Sequence, residues 1–158
     1  MTAFLRRRIL EPLKAQLTQG VSPGRLALAL ALGGALGVLP VLGVTTLVCA
    51  VVAAPLRLNQ PAIQVANYVA YPLQLLLYLP FFQGGARLFG APPVGFTLEQ
   101  IRAELVADLL GTVARYATAN LQAVAAWALL APLPAGLLFL VLRALLERLP
   151  RPTPAPGR

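Results

Sequence analysis

The stretch LNQPAIQVANYVAYPLQLLLYLPFFQGGA, Leu58 to Ala86, runs for 29 residues without a charge. About 20 helical residues cross a hydrocarbon core of about 30 Å, so this segment is long enough to span a bilayer. Its polar residues are not scattered. Gln60, Gln64, Asn67, Tyr71, Gln74 and Tyr78 follow one another at spacings of 4, 3, 4, 3 and 4, which puts them on one face of a helix. A polar side chain turned to lipid is unfavourable, so the stripe is expected to face protein or water. Two readings fit it. The stripe hydrogen-bonds neighbouring helices together, or it lines a route for a polar or headgroup-bearing substrate. Asn59 stands at the capping position and Pro61 suits the first helical turn. Pro72 lacks an amide donor and is expected to break the helix.

Two further runs are free of charge, 26–56 over 31 positions and 116–142 over 27. Each is longer than a plain span and carries breakers: Gly37-Val-Leu-Pro40-Val-Leu-Gly43 in the first, Pro132-Leu-Pro134 in the third. Ahead of them, residues 1–20 place Leu5, Ile9, Leu13 and Leu17 at four-residue spacing among Arg6, Arg7, Arg8 and Lys14, with Pro12 as a break. That is a basic amphipathic helix, which either lies on anionic headgroups or marks the cytoplasmic side. Thr97 and Gln100 form a capping-box pattern. It opens an expected interfacial helix over 97–115, whose apolar face holds Leu98, Ile101, Leu105, Leu109 and Val113 and continues to Tyr116. The tail 150–158, PRPTPAPGR, has no apolar periodicity and is expected to be disordered. Residues 21–149 are read as a single membrane domain.

The composition agrees. Of 158 residues, 58% are hydrophobic and 11% charged, with a mean hydropathy of +0.76; an ordinary soluble domain has roughly 25% charged residues. A soluble chain of this size would lack polar surface to face water, so a water-soluble globular enzyme is not expected. Thirteen basic residues against five acidic ones give a net charge of +8. Basic chains meet nucleic acid or anionic lipid. Here apolar runs keep the basic residues apart and no aromatics are interleaved with them, so membrane lipid is the expected partner and nucleic acid is not. Cys49 is the only cysteine and forms no internal disulfide. No signal peptide is apparent, and the N-terminus is expected to stay on the side where it was made.

Three simple crossings would place the C-terminal arginines opposite the N-terminal triplet, against the positive-inside rule. If runs dip in and return at their Gly/Pro breaks, the bounding Arg25, Arg57, Arg87, Arg115 and Arg143 share one face and both termini are cytoplasmic. Kinked full-length spans, four crossings in all, are the alternative. Broken helices persist in a membrane only where protein or a wet cavity receives the freed backbone groups. Homo-oligomers are therefore expected.

Among candidate residues, Arg57 is the only charge between 26 and 86. Beside Asn59 it either grips a phosphate or carboxylate through its planar fork of donors, or snorkels to the interface. Ala29, Gly33 and Gly37 repeat every fourth residue, which suits close helix packing. Glu104 and Asp108, one turn apart after Glu99, read as a solvated face; a hard cation would need further oxygen ligands that are not in sight. With no histidine, zinc sites and Ser–His–Asp triads are not expected. Neither a cofactor, nor a metal, nor catalysis is expected.

Over residues 22–90 the sequence resembles the bacterial membrane family catalogued as domain of unknown function 2062. The likeness is carried by Gly37-Val-Leu-Pro40-Val-Leu-Gly43, by Arg57-Leu-Asn59-Gln-Pro61 and by the Asn67…Pro72 stretch. Where that family often has Asn directly followed by Pro, this chain has Asn67 and Pro72 five positions apart. The resemblance implies a small bacterial inner-membrane protein. Some relatives are joined to glycosyltransferase domains that use polyprenyl-lipid substrates.

The expectation is thus an all-α, polytopic integral membrane protein with Gly/Pro-broken helices, re-entrant or kinked, and interfacial amphipathic helices. Its function is read as non-enzymatic handling or translocation of a lipid-linked or anionic amphiphile, with Arg57 and Asn59 at the headgroup and Asn67 and Gln74 along the route. The alternative is a scaffold that organises an envelope or glycosyltransferase partner in the membrane.

Overall fold

The computed structural model describes residues 22–92 and 98–148; the basic N-terminal helix, the Thr97 cap and the Pro-rich tail lie outside them. The described elements are helices: α1 (Pro23–Gly37), α2 (Thr45–Ala53), α3 (Gln60–Leu88), α4 (Leu98–Ala107), α5 (Leu109–Leu130) and α6 (Pro132–Glu147).

The first apolar run folds as a helical hairpin. Ser22 caps α1 by accepting from the Arg25 amide at 3.4 Å. The helix stops at Gly37, and the chain turns through Pro40 and Gly43, whose φ is +83°. A Cβ placed on Gly33 would collide with the Ile63 carbonyl oxygen and lie 2.8 Å from the Ala66 Cβ, and one on Gly37 would lie 2.8 Å from the Ala70 Cβ. Residue numbers thus rise together along this contact, so α1 and α3 run parallel at a separation that side chains would prevent. Ala29, Gly33 and Gly37 are buried along α1 and form its contact stripe. The small-residue pattern packs the chain against itself. α2 returns antiparallel, with Thr46 beside Gln64 and Asn67, and Ala50 beside Gln60.

The second run differs from the expected break. α3 is continuous through both Pro72 and Pro80. Each proline removes one amide from the ladder, but the side chains on either side of Pro72 are anchored: Asn67 to Thr46 and Gln74 to Leu39. Packing holds the helix where propensity alone would end it. At 29 residues it is about 43 Å long. The 15 residues of α1 reach about 22 Å, so the hairpin turns beside the middle of α3.

The third run begins earlier than its charges suggest. Asp108 interrupts the expected 97–115 helix with an extended backbone, φ −154° and ψ 94°, and caps α5 by accepting from the Gly111 amide at 3.0 Å. α5 lies antiparallel to α3. Gly85 stands against Gln122 and Ala123, and Phe81 and Phe82 cluster with Ala119, Ala123 and Ala126. At Ala131 the chain bends by 44° into α6. Pro132 and Pro134 fall in the first turn of α6, where proline is tolerated. Leu146 packs on the cluster of Leu26, Ala53 and Leu58, so both ends of the described chain lie at one end of the bundle.

The bounding arginines do not all gather there. Arg25, Arg57, Arg143 and Arg148 share that end with Glu147. Arg87 lies near the far end of α3, and Arg102 and Arg115 lie with Glu99, Glu104 and Asp108 around the start of α5. By length and composition α3 can cross a membrane, and α5 and α6 together pass the same measure as a bent pair. Leu76, Leu121, Leu129, Leu133 and Leu137 are 64–79% exposed, and no residue of α6 is buried.

Candidate functional site

Four members of the polar stripe of α3 bind the hairpin, and two of them, Asn67 and Gln74, are buried. Gln60 donates to the Ala50 carbonyl at 3.2 Å and Gln64 to the Thr46 carbonyl at 3.0 Å. Asn67, 3% exposed, donates to Thr46 Oγ1 at 3.3 Å and to Gln64 Oε1 at 3.4 Å. Gln74, 1% exposed, donates to the Leu39 carbonyl at 2.6 Å. Tyr71 is half exposed, and Tyr78 stacks on Phe82 with centroids 4.8 Å apart. Of the two readings, the geometry supplies the first. Asn67 and Gln74, expected along a route, are both interior, with their amides bonded to the hairpin.

Two residues that sequence reading passed over complete this grip. Trp127 donates its indole N–H to the Ala35 carbonyl at 3.0 Å, and Asn120 donates to the Pro40 carbonyl at 3.4 Å. They stand seven apart on α5 and therefore on one face. Polar tips at that spacing in an uncharged run were the available signal. The last carbonyls of a helix have no N–H donor within it. Here Ala35, Leu39 and Pro40 receive donors from α5, α3 and α5 in turn. These three carbonyls around the break thus find donors within the chain. Among the described residues Gln74 Oε1 is buried without a hydrogen bond.

Arg57 is placed by an unusual backbone. The α2 end closes with Leu58 N–H on the Ala53 carbonyl at 3.0 Å and Arg57 N–H on the Ala54 carbonyl at 3.1 Å, the paired bonds of a Schellman ending. The residue at its left-handed position is Arg57, with φ +50°, the one non-glycine residue with positive φ among the described residues. The α3 end repeats the motif: Ala91 N–H bonds the Ala86 carbonyl at 2.8 Å and Gly90 N–H bonds that of Arg87 at 3.3 Å, with Gly90 at φ +62°. Glycine is the ordinary occupant; a side chain there costs about 1–2 kcal/mol. Two residues on, Asn59 caps α3 by accepting from the Ala62 amide at 2.8 Å. Arg57 is exposed on this turn, beside the N-terminus of α3, where the helix dipole favours negative charge.

Glu104 and Asp108 do not share a helix face. Asp108 is the α5 cap, and Glu104 pairs with Arg115 at 3.4 Å. The remaining feature is a groove of about 750 Å³ between α1, α3 and α6, with almost entirely apolar walls.

Nothing among curated proteins or solved structures matches the chain. The sequence pattern of the family described as "uncharacterized protein conserved in bacteria (DUF2062)" matches residues 3–151, well beyond the 22–90 stretch that carried the resemblance. The match takes in both helix endings, the hairpin and the bent pair: the chain belongs to the DUF2062 family.

Proposed function

We propose that this chain is a multi-pass protein of the bacterial cytoplasmic membrane that handles or translocates a lipid-linked or other anionic amphiphile without transforming it. The observation that carries the reading is Arg57, held in a left-handed turn that glycine fills elsewhere in the chain, at the end of the bundle where four arginines face one glutamate. A strained side chain kept at a surface turn is a mark of use. The membrane setting is supported by α3, by the bent α5–α6 pair and by leucines exposed along both. A contiguous apolar surface of this kind is unfavourable in water. In the arrangement proposed, the end bearing Arg25, Arg57, Arg143 and Arg148 is cytoplasmic, as the positive-inside rule favours, and the hairpin is re-entrant. Association with further copies belongs to the same proposal, through the outer face of α6.

A scaffold that organises a membrane partner is the second reading. It is favoured by one observation: Gln60, Gln64, Asn67 and Gln74 of the polar stripe are engaged in hydrogen bonds within the chain.

Two measurements test the proposal. With Cys49 replaced by alanine, cysteines at 24 and 148 should react with an impermeant maleimide from the cytoplasmic side, and one at 90 from the other side. Reaction of 24 and 148 from opposite sides overturns the topology. In proteoliposomes, fluorescent phosphatidylglycerol should exchange between leaflets faster than in empty vesicles, and Arg57→Gly should slow it. An intact assembly that moves no anionic lipid overturns transport and leaves the scaffold.

A further inference from the structure

The groove has a direction. Along α3 it runs from Val65 to Phe81, a rise of about 24 Å. That exceeds the depth of one leaflet, about half of a core of about 30 Å. It exists because three helices turn small residues towards it: Gly34 and Ala35 on α1, Ala66 and Ala70 on α3, Ala131 and Ala135 at the bend. Its rim is open, with Val69 75% and Leu130 60% exposed. At one end it stops at Leu30, Val65 and Leu142. Arg143 is the next residue after Leu142, and Arg25 lies five residues before Leu30, about 8 Å along the helix axis.

The charge at the two ends differs. The end by Leu30 and Leu142 has Arg25, Arg57, Arg143 and Arg148 against Glu147. At the opposite end of the molecule, Arg87, Arg102 and Arg115 are matched by Glu99, Glu104 and Asp108. Glu147 engages Arg143 only as an exposed i,i+4 pair at 2.8 Å, an interaction weak enough to exchange partners.

We infer that the groove holds one hydrocarbon chain of an anionic membrane lipid, with the acidic headgroup at the arginine end. This rests on the proposed membrane reading and names the part of the amphiphile that the fold grips. The apolar walls supply affinity by burying methylenes, about 0.8 kcal/mol each. The arginines select the charge of the headgroup.

The test uses the full chain in nanodiscs of phosphatidylcholine containing a small fraction of phosphatidylglycerol with a diazirine in its acyl chain. Cross-linked peptides should fall on 65–81 and 130–142 and should be competed by unlabelled phosphatidylglycerol. Gly34→Leu and Ala135→Trp fill the groove from different helices; each should lower the labelling about tenfold, the worth of two lost methylenes. Circular dichroism and size-exclusion profiles of both variants verify folding. The inference is overturned if the label spreads equally to the outer face around Leu121 and Leu140, if diazirine-labelled phosphatidylcholine gives the same map, or if the groove cross-links to a second copy. Leaflet exchange that is slowed by Arg57→Gly, with an unlabelled groove, would remove this inference and leave the proposed function standing. Absence of both leaflet exchange and anionic preference would remove the two together.

Discussion

Gln74, at the middle of α3, donates its side-chain amide to the Leu39 carbonyl at 2.6 Å, and this bond ties the turning point of the hairpin to the helix beside it. Both groups are out of reach of solvent, so neither has a substitute partner. Gln74→Leu leaves a buried carbonyl unmatched, which costs about 1–3 kcal/mol, and it also removes the unpaired Oε1, which offsets part of the loss. A net destabilisation of about 1 kcal/mol is expected, or about 2–4 °C in the thermal midpoint for a chain of this size. Thermal unfolding in detergent checks it; an unchanged midpoint would deny the bond its role.

Gly33→Val should be more damaging. Its Cβ would strike the Ile63 carbonyl of α3, and backbone on both sides leaves no flexible atom to yield. Overpacking of this kind costs typically about 1–3 kcal/mol. Loss of the folded species on size exclusion is the expected result, whereas Gly24→Ala, where nothing lies within 4 Å, should be neutral.

Arg57→Gly separates stability from use. Glycine relieves a positive φ worth about 1–2 kcal/mol, so the thermal midpoint should stay level or rise. Retention of anionic phosphatidylglycerol by the same variant should fall. If binding is undiminished, the arginine is an orientation mark and not a headgroup ligand.

Pro72→Ala returns an amide to the ladder opposite the Tyr68 carbonyl. An interior proline costs a helix about 3 kcal/mol, part of which packing by Asn67 and Gln74 already absorbs. A midpoint raised by about 2–4 °C, for about 1 kcal/mol, is expected in the same melt. A fall would mean that the proline shapes α3 in a way that the continuous helix does not reveal.

Much of the architecture was legible in the chain. The Gly37–Gly43 break and the proline bend at Ala131 stand where glycine and proline remove local support. The stripe from Gln60 to Tyr78 was visible as a spacing. What it faced was not, because periodicity gives a side and not a neighbour; the hydrogen bonds to Thr46 and Leu39 join residues 18 and 35 apart. Pro72 predicts a break that the helix does not show, for the same reason, since the anchors that hold it come from outside the helix. Asp108 falls in the interior of the helix that the apolar periodicity predicts, although a carboxylate followed three residues later by Gly111 also fits a cap. The groove had no signal at all: its walls join small residues such as Gly34, Ala70 and Ala135 to leucines and valines from distant segments, each unremarkable alone. The strain at Arg57 was equally silent, because nothing in an arginine announces a left-handed backbone.

The hairpin's reach has one more outcome. Beside the first half of α3 stand α1 and α2, with α6 packed on α1, whereas beside its second half stands α5, with α4 packed on α5. Among the described residues, α1, α2, α3 and α6 therefore meet at the arginine end, and α3, α4 and α5 at the opposite pole. In a bilayer, a body with more helices at one end would take the place of more lipids in that monolayer than in the other. Copies gathered side by side would favour a curved sheet over a flat one.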